Sequence, residues 1–364
     1  MAEKHSPAAH ATAETAGDRG RIAGRVIVTL AAGVLLAFFL SISIGANGFT
    51  PGTAWQAITG LGQGTDAGGL QRDVIVLDIR LPRTLLGLMI GATLAVSGVI
   101  LQGLFRNPLA DPGLVGVSSG AGLAAVLVII GIPVLIPGLA GNVSPYALPF
   151  AAFLGALLTT ILLYRIATRA GRTSMATMLL AGIALGALAG ALTGFLTFAS
   201  DDQQLRDLTF WTMGSLGGAT MEKVTVAVPF IMLSLAAMPW LAHKLDALLL
   251  GEAEAGHLGV EVQRVKRTAI VAVALGVGAS VAAAGPIGFI GIVVPHLLRL
   301  VIGPRHAALL VASALLGGIL LVAADIASRI VVAPAELPIG IITALIGAPF
   351  FLWLLLHRRA LVDL

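Results

Sequence analysis

A few side chains in this sequence are of types and spacings that could do chemistry. Arg80 and Arg83 flank Leu81-Pro82 just ahead of a long uncharged run. Two guanidinium forks placed there suit bidentate capture of carboxylates on a docking partner. The alternative is an interfacial role, with apolar stems buried and charged heads in water. Gly116-Val117-Ser118-Ser119-Gly120 has the form of a nucleophile elbow, which requires a strand before it, a helix after it and an acid–base partner. Here the motif opens an apolar run in a chain with 45 glycines, so Ser118 reads as a helix start and not as a nucleophile. His296 follows Pro295 inside another apolar run. A lone histidine of this kind is more often a bonding partner near a helix end than a metal or haem ligand. Asp325 and Arg329 are four residues apart, the spacing of a local ion pair on one helix face. A phosphate-binding loop needs Gly-Lys followed by Ser or Thr. The lysines are Lys4, Lys223, Lys244 and Lys266, and none follows a glycine, so an ATP-driven step would need another polypeptide. No catalytic residue and no metal ligand is assigned. The chain has no cysteine, which removes disulfides and thiolate ligands from consideration.

The elements that must position these residues are apolar and long. Of 364 residues 57% are hydrophobic and 11% charged, with mean hydropathy +0.99. Soluble domains carry roughly 25% charged residues. A membrane barrel would alternate polar and apolar residues over ~10-residue strands, whereas the apolar runs here are continuous. These features predict an all-α polytopic membrane protein. The sequence pI near 10.0 accompanies a net charge of only +4 and no basic–aromatic cluster, so no nucleic-acid partner is expected. Membrane lipid is the expected surroundings.

Ten apolar runs are legible, at 26–44, 84–105, 114–135, 146–164, 175–198, 224–241, 268–284, 288–302, 308–324 and 338–356. The run at 84–105 is long enough to cross a ~30 Å hydrocarbon core, and the one at 288–302 is the shortest. A polar tail, 1–25, precedes a single membrane domain, 26–357, and a short tail, 358–364, follows. The first run is too long for the apolar region of a cleaved signal peptide and is read as a retained helix. Ten crossings place both termini on one side. With that side cytoplasmic, every Lys and Arg lies inside except Arg72, Arg80, Arg83, Arg206, Lys223 and Arg329, as the positive-inside rule requires. The Asn107–Pro112 loop then also faces inward.

Two further patterns need a place. Gly182, Gly186, Gly190 and Gly194 recur every four residues and lay a bare stripe on one helix face. Such a stripe allows close helix packing, or leaves width for a bulky solute. The inner segment from His243 to Arg267 is expected to be a loop. It contains Leu250-Gly251-Glu252-Ala253-Glu254-Ala255-Gly256-His257-Leu258-Gly259, an amphipathic pattern suited to one or two short surface helices.

Taken together, RLPR (80–83), GATLAVSG (91–98), Gln102 with NPLADPGLVGVSSGAG (107–122), LGEAEAGHLG (250–259), GPIGFIGIVVPHLLR (285–299) and ELPIGIITALIGAPFFLWLL (336–355) carry a family resemblance. The chain resembles the permease subunits of type II ABC importers, which take up ferric siderophores, haem and cobalamin. That resemblance implies a homodimer of ten-helix subunits with a central path. It also implies two cytoplasmic ATPase subunits, which bind ATP and Mg, and a periplasmic binding protein. Arg80, Arg83 and Arg329 would meet the binding protein, and the 245–262 segment would couple to the ATPase through Leu250, Gly251, Glu252, Ala255, Leu258 and Gly259. Gly182, Gly186, Gly190 and Gly194 would line the path. Gln204 to Phe210 resembles haem permeases, so haem is the expected cargo, with ferric siderophore and then cobalamin as alternatives. The chain itself would hold no cofactor and sit in the bacterial inner membrane. A secondary carrier is the rival, but such carriers place ionisable residues at mid-membrane, and most acidic residues here lie between the apolar runs.

Overall fold

A computed structural model of the chain describes residues 7–45, 50–60, 67–113, 116–131, 146–169 and 172–357. The first helix, α1 (Pro7–Ser43), starts well before its apolar part, so much of the expected tail is wound onto the same helix. The segment after it is also largely helical: α2 (Pro51–Thr59), α3 (Ala67–Asp73) and a π-helical stretch, Val74–Arg80, lead into α4 (Leu81–Phe105). Pro82 sits in the first turn of α4, where its missing N–H costs nothing.

The rest runs as α5 (Val117–Val126), continued by a π-helical turn to Gly131, then α6 (Ala147–Ala167) and α7 (Met175–Phe198). A two-residue antiparallel ribbon, Thr168–Arg169 with Arg172–Thr173, flanks the α6–α7 turn. Next come α8 (Asp202–Thr212), α9 (Met221–Ala236), α10 (Met238–Leu249), α11 (Glu252–His257), α12 (Val262–Ala284), α13 (Ile290–Ile302), α14 (His306–Ile330) and α15 (Ile339–His357). Among the described residues, six helices are long and apolar enough to cross a membrane. The α9–α10 pair, bent by 42°, adds a seventh, and three shorter apolar helices complete roughly ten segments. Chain order and helix number agree with the sequence reading. The expected loop from His243 is shorter than anticipated, because α10 continues to Leu249 and α12 begins at Val262.

The centre of the bundle is α4. It packs along α14, α12 and α13, and nearly all of its residues are buried. The glycines of GATLAVSG make this possible. A Cβ on Gly91 would fall 2.2 Å from the Gly317 carbonyl oxygen, and one on Gly98 would fall 2.0 Å from that of Gly291. Backbones meet there directly, as in small-residue packing between membrane helices. By contrast, α7 shows its apolar side chains outward, with Leu180, Ile183, Phe195 and Phe198 all at least 66% exposed.

Candidate functional site: an arginine rim, a hollow between broken segments and a knob at the opposite face

At one end of α4, three arginines that the sequence points to come together, and their partners are internal. Arg80 donates to the carbonyls of Ile42 (2.6 Å) and Ser43 (3.0 Å). Arg329 donates to the carbonyls of Ser41 (3.0 Å) and Ile44 (3.2 Å) and to Ser41 Oγ (2.9 Å). The carbonyls that a helix end leaves without intrahelical partners are thus taken up by two side chains from distant helices. Both cations also lie where the helix dipole is negative.

Arg83 extends from α4 to Asp325 on α14 (Nε to Oδ1, 2.8 Å) and to Glu336 (Nη1 to Oε2, 2.8 Å). Asp325 also binds Arg329 at 3.0 Å, so the expected i,i+4 pair is present as part of a larger network. Asp325 is 1% exposed, Arg80, Arg83 and Arg329 are buried, and Glu336 keeps 47% of its side chain open. The guanidiniums are engaged inside the subunit, and an outside carboxylate would reach Arg83 only beside or in place of Glu336. Sequence reasoning does not single out Glu336; its signal is its position opening the ELPIG stretch (336–340).

The Asn107–Pro112 loop starts at the end of α4, with the Asn107 N–H on the Gln102 carbonyl, and its last residues fold back along the helix. Arg106 takes a left-handed conformation (φ 51°) and ends α4, after which Asn107 accepts the Leu109 N–H and Asp111 accepts the Gly113 N–H. The chain then turns back along α4. A Cβ on Gly291 would lie 2.5 Å from Asp111 Oδ2 and 3.1 Å from the carbonyl of Leu94, level with the middle of α4. From the other side, α12 ends at Ala284 and residues 285–288 run without helix to Phe289 (φ 70°), where the half-length α13 begins. Gln102 ties these parts together, donating to the Gly291 carbonyl (3.0 Å) and accepting a short bond from Arg299.

A hollow of about 370 Å³ opens between these broken segments, walled by Gly113 and Ser118, by Thr212 and Met213, by Pro286 to Phe289, and by Gly340 and Ile341. Non-helical backbone at membrane depth is tolerated only where it is buried in protein or lines a cavity. Midplane sites built from interrupted helices are a general device of transporters.

The glycine stripe of α7 begins against this region. The carbonyl of Gly182 lies 3.2 Å from where a Cβ on Gly116 would be, and a Cβ on Gly186 would meet Ser119 Oγ at 3.6 Å. A Cβ on Gly190 or Gly194 would meet nothing within 4 Å. The stripe is therefore a packing seam at one end and open at the other. Among the described residues no hydrogen bond joins the Ser118 side chain to an acid or base, and Gly116 (φ +84) serves as the α5 cap. His296 is buried with its ring edge-on to Phe350 at 6.0 Å.

At the opposite face, α11 forms a small knob between α10 and α12. Gly251 (φ +128) and Gly259 (φ +81) make the reversals on either side, in conformations open to glycine but strained for other residues. Leu250 (66% exposed) and Leu258 (65% exposed) point outward, while Ala255 is fully buried beneath. Lys266, itself buried on α12, reaches Glu252 at 2.7 Å and pins the knob to the bundle.

Long apolar helices interrupted around a hollow are the architecture that a membrane transport subunit needs. The FecCD transport family model matches residues 33–357. The chain is 44% identical over 285 residues to the Hemin transport system permease protein HmuU of Yersinia pestis (78% of this chain, 84% of that one). It is 48% identical over 286 residues to the Cobalamin import system permease protein BtuC of Halobacterium salinarum (79% and 74%). It is 40% identical over 310 residues to the Fe(3+) dicitrate transport system permease protein FecD of Escherichia coli (84% and 89%). A solved inward-facing ABC transporter structure, described as of metal-chelate type, superposes with TM-score 0.77 at 31% identity, covering 92% of this chain and 99% of that one. The chain belongs to the FecCD transport family and is an ABC-type permease.

Proposed function

We propose that this permease is the transmembrane part of an ATP-driven importer that moves haem from a periplasmic binding protein across the inner membrane to the cytoplasm. The observation that carries transport is the hollow walled by Gly113, by Ser118 at the start of α5 and by the non-helical segment before α13. Haem is favoured by the Gln204–Phe210 stretch and by the likeness to a hemin permease. Ferric siderophore and cobalamin are the competing cargoes, since permeases named for ferric dicitrate and cobalamin are similar to comparable degrees.

In this reading two copies of the chain pair, and the glycine stripe (Gly182, Gly186, Gly190, Gly194) lines the path between them, open at Gly190 and Gly194. Two ATPase subunits hold ATP and Mg and engage the knob through Leu250, Gly251, Glu252, Ala255, Leu258 and Gly259. The rim of Arg80, Arg83 and Arg329 is where the binding protein docks. Because those side chains are bonded internally, docking acts on a closed charge network and exchanges or reinforces its bonds. Cargo crosses because ATP stabilises outward- and inward-open states differently.

The test is reconstitution of the permease with its ATPase and binding protein, with uptake of haem, a ferric siderophore and cobalamin compared. ATP-dependent accumulation of haem alone supports the assignment, and accumulation of another cargo in its place reassigns it.

A further inference from the structure

Away from the hollow, a groove of about 470 Å³ runs along the outside of the bundle where α9 and α10 bend past α12. Its walls are Leu233, Ala236 and Ala237 on one side and Val271, Ala272 and Leu275 on the other. Pro229 and Pro239 flank the bend, and the 42° turn at Ala237 keeps the α9–α10 pair from closing on α12. Leu233 is 61% exposed and Val271 41%, so these apolar walls are open to the surroundings.

One end of the groove is cationic. Arg267 lines it, and also lines the adjoining polar hollow formed by Glu261, Val262, Gln263 and Arg264. Arg264 lies 5.8 Å and Lys244 3.6 Å from the centre of the Trp240 ring. The nearby carboxylate, Glu261, sits 3.9 Å from Arg264 with both side chains largely in solvent. Arg267, among the described residues, has neither a hydrogen bond nor an ion pair.

We propose that this groove holds one anionic phospholipid from the leaflet on the side of the α11 knob. The phosphate sits on Arg267 and Arg264, Trp240 stands at the headgroup level, and an acyl chain lies between α9–α10 and α12. The dimensions agree. From Arg267 to Leu275 the helix rises about 12 Å, close to the depth of one leaflet of a ~30 Å hydrocarbon core. Basic pockets between helices at a membrane face select acidic headgroups, at roughly tenfold or less per cation, and tryptophan favours the membrane–water boundary. Because α10 and α12 are the two helices joined by the knob, the lipid would brace the base of that segment.

The experiment uses the full-length chain, purified in mild detergent with the subunits it brings down, stripped of lipid and offered phosphatidylglycerol and phosphatidylcholine together. Native mass spectrometry then counts retained lipid. Wild type retains about one phosphatidylglycerol per chain in preference to phosphatidylcholine. Arg264→Gln with Arg267→Gln, both at exposed positions, lowers that preference about tenfold or more. Ala236→Trp, which fills the exposed apolar wall and leaves both arginines in place, lowers retention of both lipids. Equal retention of the two lipids by wild type, an unchanged preference in the double variant, or full retention in Ala236→Trp would each overturn the assignment.

Discussion

Asp325→Asn removes one charge from the arginine rim while keeping the shape of the side chain. In the folded chain Asp325 is 1% exposed and holds Arg83 at 2.8 Å and Arg329 at 3.0 Å. Removing one partner from a buried ion pair costs about 3–5 kcal/mol, because the remaining charge is left uncompensated in the interior. Here two guanidiniums lose their shared anion, which argues for the upper part of that range. Both retain other acceptors, however: Glu336 for Arg83, and Ser41 and Ile44 for Arg329. The expected loss is therefore about 3 kcal/mol, the lower bound for a broken buried pair. At about 2 °C per kcal/mol for a large chain, this is a fall of about 6 °C in the thermal midpoint. The measurement is thermal unfolding of the purified permease in detergent, beside Glu336→Gln. Glu336 is half exposed, so its pair is worth about 0–1 kcal/mol. Asp325→Asn within 1 °C of wild type, or no more damaging than Glu336→Gln, would refute the view that Asp325 is the keystone of the rim.

Gly98→Ala should separate α4 from α13, since the added Cβ would overlap the Gly291 carbonyl at 2.0 Å and neither backbone can yield without disturbing Gln102. Overpacking of this kind costs about 1–3 kcal/mol, and the same unfolding assay reads it. Gly251→Ala forces a residue with a Cβ into φ +128, with that Cβ 2.0 Å from a Glu254 oxygen. The knob should be displaced while the bundle stays folded, so in the reconstituted transporter ATP hydrolysis should continue while uptake falls. Normal coupled uptake by this variant would count against the coupling role. Lys266→Met removes the bond to Glu252 from a fully buried position; increased protease cleavage between Leu250 and Gly259 with the rest of the chain protected is the expected result.

Much of this protein is written locally in its sequence. The apolar runs give the number and order of the spanning segments, because crossing a bilayer sets a length and a polarity that each segment must meet alone. The Gly251 and Gly259 reversals, the amphipathic pattern between them and the Asp325–Arg329 spacing are equally local, and the fold agrees with each. What tertiary structure decides is which distant residues share a level in the membrane. Arg83 and Asp325 are 242 positions apart, and nothing in either segment announces the other, so the internal bonds of Arg80 and Arg83 are visible only in the fold. The far end of the polar loop turns back along α4 because Asp111 and Pro112 find their place beside Gly291, which only the packing of α4 against α13 provides. The gaps between the apolar runs, after 105 and after 284, mark where the chain leaves one segment for the next. That the two breaks meet around one hollow depends on three-dimensional contacts that no local pattern contains.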